Sequence, residues 1–146
     1  MAYNVMDIAN ELLRKAAENS GGDLLTNMKL QKLLYYEQGF HLAYFNTPLF
    51  DAPIEAWQYG PVVPMVYNQY KENGRAGIEP VASDFSFTNT KEKALFDEVY
   101  RVYSAYSAIG LMEMTHSETP WRTSNIGMGC EISHDSMRNF FKKRLR

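Results

Sequence analysis

One cysteine, Cys130, stands in the whole sequence, so no internal disulfide can staple the fold. Histidine is nearly as scarce, with His41, His116 and His134 the three present. Structural zinc takes four nitrogen or sulfur ligands, usually in close pairs. Cys130 and His134 straddle an expected helix start instead of sharing one face, so no metal site is expected. Cys130 with His134 or His116 is the one candidate nucleophile pair, and a lone cysteine is more often a small buried hydrophobe. Neither a glycine-rich phosphate loop nor a nucleophile elbow occurs. The expectation is therefore no catalytic residue, no metal and no cofactor.

Apolar runs fall far short of the roughly 20 residues that a membrane span requires, so no membrane partner is expected. The N-terminus lacks the charged segment, apolar stretch and cleavage site of a secretory leader, which with the unpaired cysteine points to a reducing cytoplasm. Bases are thinly spread as well. Arg138, Lys142, Lys143, Arg144 and Arg146 account for five of the fifteen. Outside residues 138–146 there remain ten bases against seventeen acids, a balance of −7 within a total of −2. An acidic body with a basic tip suits a protein partner of mixed or basic charge better than a nucleic-acid backbone. The tip also complements the dipole of a C-terminal helix and keeps it soluble.

What the chain does have is aromatic: ten tyrosines, eight phenylalanines and two tryptophans. Aromatics interleaved with bases can stack nucleobases, but Lys29, Lys32, Tyr35 and Tyr36 form only a small basic cluster, so nucleic acid is not the expected partner. Tyrosine and tryptophan also suit protein interfaces, and core packing accounts for most of the rest. The partner-binding candidates are Lys29, Tyr35, Tyr36 and Tyr70 on the body. At the tail, Phe140, Phe141, Lys142, Lys143 and Arg144 would form an amphipathic edge.

A chain of 146 residues suits one domain over 1–146, enough to bury roughly 70% of the surface its unfolded form exposes. The hydrophobic pattern has a helical period over most of it and predicts a mainly α fold of about six helices, with a small β or extended element around residues 48–60. Asn4 caps a first helix with Val5, Ile8, Ala9, Leu12, Leu13 and Ala16 inward, stopping at Gly21-Gly22. Thr26 caps a long second helix. Its Gly39 costs about 1 kcal/mol against alanine, which a close backbone crossing would explain. Gly60, Pro61 and Pro64 stiffen a corner ahead of a third helix that ends at Gly74. Thr88 or Thr90 caps a fourth helix with Leu95, Phe96, Val99, Val102 and Tyr103 on one side. A fifth covers Ala108 to His116, ended by Pro120, and Ser133 caps a last one with Met137, Phe140 and Phe141 inward.

Three stretches in this order, "NMKLQKLLYYEQGF", "PLFDAPIEAWQYGPVVPMVYNQYKENG" and "MTHSETPW", resemble the Panacea or SocA-like antitoxin domain, found in phage-associated proteins. The resemblance covers roughly residues 4 to 142. It implies motif positions at Leu30, Lys32 and Leu33 in the second helix and at Ala56, Trp57, Tyr59, Gly60, Pro61 and Val62 in the corner. It adds Tyr67 after the corner, then Thr115, His116, Pro120 and Trp121. The function it implies is that of an antitoxin in a bacterial or phage toxin–antitoxin system, neutralising a cognate toxin by direct protein contact. The alternative it implies is an adaptor that delivers its partner to an ATP-dependent protease. Most motif residues read as architecture. Trp57 is expected to cover the second helix, Gly60 and Pro61 to set the exit angle of the third, Trp121 to close the far side, and His116 to hold a backbone carbonyl.

Overall fold

The computed structural model describes residues 2–19 and 23–145, and the expected stop at Gly21-Gly22 lies outside them. Helix α1 (Val5–Glu18) starts where the Asn4 side chain accepts the Met6 N–H, and its six expected apolar positions are all buried. Helix α2 (Asn27–Phe45) starts at Thr26, whose hydroxyl accepts the Lys29 N–H. Fifteen of its nineteen residues are buried, so α2 is the axis of the molecule and has no solvent face to pattern. Most of its polar residues are bonded inward, although the buried Glu37 Oε2 has no hydrogen-bond partner. The Gln38 amide spans the chain just beyond the helix, donating to the Phe50 carbonyl at 2.8 Å and accepting the Leu49 N–H at 2.7 Å. The His41 ring bridges the Thr47 carbonyl and the Glu92 carboxylate, both at 2.6 Å.

After α2 the chain forms an antiparallel hairpin of β1 (Glu55–Trp57) and β2 (Gly60–Val62), with Glu55 opposite Val62 and Trp57 opposite Gly60. The element ends two residues later than expected because the Gly60-Pro61-Val62 corner is itself the second strand. Pro64 opens α3 (Pro64–Tyr70), a 3₁₀ turn carries the chain to Asn73, and Gly74 stops it at φ +58°.

Helix α4 (Thr90–Tyr103) is capped by Asn89, whose side chain accepts the Lys91 and Glu92 N–H groups, and not by Thr88 or Thr90. Thr88 is engaged elsewhere, with the Tyr3 hydroxyl 3.0 Å from its own. The buried stripe of α4 is Phe96, Val99, Tyr100 and Tyr103, an i, i+3, i+4, i+7 set that leaves Val102 on the exposed side. Helix α5 (Ala108–His116) has the expected bounds. Pro120 does more than end it, since it sits in the first turn of a further short helix, α6 (Thr119–Arg122). The last helix, α7 (His134–Lys142), is capped by Ser133 as expected. Among the described residues no helix is long and apolar enough to cross a membrane.

Helix α7 lies along α2, and the contact explains Gly39. A Cβ built there would fall 2.2 Å from the Phe141 ring, so the glycine makes room for an aromatic ring and not for a crossing backbone. Phe141 is fully buried and meets Tyr35, Tyr36 and Phe40 at centroid distances of 4.8–5.8 Å. Met137 is buried beside it, whereas Phe140, expected to point inward, is only half-buried.

Candidate functional site

The corner is built on α2. Gly60 has φ +110°, a region that side chains disfavour, and a Cβ there would lie 2.7 Å from Lys32 Cε and 3.0 Å from Thr115 Oγ1. Glycine thus lets the hairpin sit directly on the Lys32 side chain and the end of α5. Lys32 is buried to 1% exposure, and its ammonium donates to the Pro61 carbonyl at 3.2 Å. Burial lowers its pKa from the ordinary 10.5 to about 7. The adjacent Gln31 accepts the Val63 N–H at 2.8 Å and donates to Asn27 one turn earlier, which donates in turn to the Tyr67 carbonyl. Two amides on one face of α2 therefore fix both the exit of the hairpin and α3.

Trp57 is half-buried. Its ring meets Tyr67 edge-on at 5.1 Å, and its indole N–H donates to Glu55, so it packs on α3. Trp121 donates its indole N–H to the Trp57 carbonyl at 2.8 Å, tying α6 to the hairpin turn. His116 stacks on Trp121 at 3.9 Å, and its buried Nε2 has no hydrogen-bond partner. The expected carbonyl contact is replaced by this stacking, because the ring lies flat on the indole instead of pointing at backbone.

Between hairpin and α3 opens a cleft of about 650 Å³. Asn27, Gln31 and Lys32 of α2 form one side, Trp57, Tyr59 and Val62 a second, and Tyr67, Lys71 and Arg75 a third. The fourth is the loop Ile126–Met128, laid against β1 by the Gly127 N–H to Ala56 carbonyl and Ala56 N–H to Cys130 carbonyl bonds, each 2.8 Å. Five motif positions, Lys32, Trp57, Tyr59, Val62 and Tyr67, line this one cleft.

Against known families, the model for the SocA-like antitoxin, Panacea domain, matches residues 30–122. The chain belongs to this family. The Panacea domain here is also 30% identical to a protein named Antitoxin SocA from Caulobacter vibrioides, over 92% of this chain and 80% of that one. No solved structure matches the chain. The matched stretch of the Panacea domain runs from Leu30 in α2 to Arg122 at the end of α6, so it holds the corner and most of the cleft, while α1 and α7 lie outside it.

Seven of the nine remaining motif positions of the Panacea domain are interior, and His116 and Trp121 are half-buried. Leu30, Leu33, Ala56, Gly60, Pro61, Thr115 and Pro120 are buried. The partner-binding candidates divide. Tyr35, Tyr36 and Phe141 have no exposed surface, because residues 31–43 of α2 are all buried and Phe141 packs on them, and they are core residues instead of contact residues. Lys29 is half-buried, with its ammonium on the Ser104 carbonyl at 2.7 Å, and Tyr70 is half-buried beside the core. Phe140, Lys142, Lys143 and Arg144 remain accessible, with the Arg144 guanidinium 4.6 Å above the Phe140 ring. Among the described residues no cluster of three His, Cys, Asp or Glu is placed to hold a metal.

Sequence reasoning passed over Glu118 and the loop Ile126–Met128. Glu118 is 2% exposed and accepts the hydroxyls of Tyr35 at 3.0 Å and Tyr36 at 2.9 Å, with Arg144 3.7 Å away. Its signal was an acid fixed inside "THSETPW", next to a helix-starting Thr-Pro. Burial raises its pKa, partly offset by the two tyrosine hydrogen bonds.

Proposed function

We propose that this protein is an antitoxin that neutralises a cognate toxin in the cytoplasm by direct, non-catalytic protein contact. The reading is carried by the similarity to Antitoxin SocA across nearly the whole chain. The cleft supports a binding role, since motif side chains that build the corner also present a shaped, partly apolar surface to solvent. The test is genetic. The neighbouring gene, expressed alone, is expected to stop growth, and coexpression with this protein to restore it. Absence of toxicity from either neighbour, or toxicity that coexpression leaves untouched, would remove the antitoxin reading.

A further inference from the structure

The cleft beside the corner is unusual in charge for this molecule. Lys32, Lys71 and Arg75 line it and no aspartate or glutamate does, although the chain outside its basic tip carries a balance of −7. Its walls are otherwise uncharged, with the amides Asn27, Gln31 and Gln58 among apolar and aromatic side chains. Exposed large hydrophobics scattered singly over a surface call for no explanation. Here three of them, Tyr59 at 57%, Ile126 at 48% and Met128 at 81%, stand around one opening. The loop carrying Ile126 and Met128 is held by backbone bonds to β1 and by the Gly129 N–H to Glu55 bond of 2.7 Å, so its apolar side chains are presented from a fixed frame.

From this combination we infer that the cleft docks a segment of the toxin in which a carboxylate neighbours an apolar side chain. The apolar group enters between Trp57, Tyr67 and Met128, and the carboxylate meets Lys32, Lys71 and Arg75. The inference rests on the proposed antitoxin function and adds where and by what chemistry the partner is held. Three cations without a carboxylate among them attract an acidic group, and the low-dielectric floor strengthens the pairing. Lys32 uses one of its three donors, on Pro61, and no carboxylate among the described residues pairs with it. Its lowered pKa fits a cation that lacks a counter-charge until the cleft is filled. A nucleic-acid strand fits poorly, because only three basic groups line the cleft and the chain outside its basic tip is acidic on balance.

The experiment measures affinity of the purified toxin for the wild type, for Lys71→Glu/Arg75→Glu, and for Lys142→Glu/Lys143→Glu as a reversal of equal charge at the tail. All four positions are exposed, so the melting temperatures should agree. The cleft reversal is expected to weaken binding about tenfold or more, the tail reversal less than about twofold. Replacing acidic residues of the toxin by lysine, one at a time, should identify one change that recovers binding to the cleft reversal. Wild-type affinity in the cleft variant, with growth protection intact, would overturn the docking site and leave the antitoxin reading standing. A wild type that neither protects nor binds would remove that reading and the inference with it. Wild-type dimers that Lys71→Glu/Arg75→Glu dissociates would also overturn it, by assigning the cleft to a second copy of this chain.

Discussion

Phe141→Ala is expected to lose about 3–5 kcal/mol of folding stability, a large share of the roughly 5–15 kcal/mol that holds a domain together. The ring is fully buried and fills the notch over Gly39 while touching three aromatics of α2. Removing it leaves a cavity on the most heavily packed helix pair, and α2 is too long and too enclosed to collapse into the gap. Denaturant unfolding of the purified variant measures the loss. The result bears on the tail as well, since truncation after Asn139 removes Phe141 along with the basic residues. Loss of partner binding on truncation would then report a core defect. Phe141→Ala with wild-type stability would show that α7 is an appendage and return the tail to consideration as a contact surface.

Glu118→Ala is expected to cost about 2–6 kcal/mol, because it strands two buried tyrosine hydroxyls, each worth roughly 1–3 kcal/mol when left unpaired. Tyr35 and Tyr36 are fully buried and both donate to this one carboxylate, so water cannot replace it cheaply. Glu118→Gln keeps an acceptor and should lose less. It should also change the pH dependence in a defined direction. Burial raises the Glu118 pKa above the ordinary 4.5, so the folded state binds the proton more tightly than the unfolded chain. The contribution of this carboxyl to stability is therefore greatest below 4.5 and falls as pH rises through the folded value. The stability gap between wild type and Glu118→Gln should narrow across that window, as read by urea midpoints at several pH values. A gap that widens with rising pH would mean that the tyrosine bonds outweigh the burial.

Helix bounds were legible where local chemistry decides them. Asn4, Thr26 and Ser133 each cap a helix through their own side chains, and Gly74 ends the turn after α3. Asn89 was missed because threonines flank it, and which of three adjacent cap formers bonds the helix depends on what else claims them; the contact of Tyr3 with Thr88 is long-range. The central position of α2 was legible in its apolar content, but its buried Lys32, Gln31, Gln38 and Glu118 partners were not, since a polar residue at helical spacing reads as a solvent face until its tertiary partner is known. Tyr35 and Tyr36 went the same way. Their hydroxyls suggested an interface, and a single distant glutamate satisfies both inside the core. The motif set located the corner, but not the cleft, because Ile126 and Met128 reach it from a loop 64 or more residues after β2 that carries no motif.

The central claim is that this Panacea domain neutralises its toxin by contact alone. Its most direct test is a titration of the purified protein into a purified-toxin activity assay containing no protease. Inhibition should be complete near one equivalent and reverse when the complex is dissociated, and Lys71→Glu/Arg75→Glu should need about tenfold or more protein for the same inhibition at unchanged melting temperature. A toxin that stays fully active at excess antitoxin, yet disappears once an ATP-dependent protease and ATP are added, would contradict the claim and make the protein an adaptor for degradation.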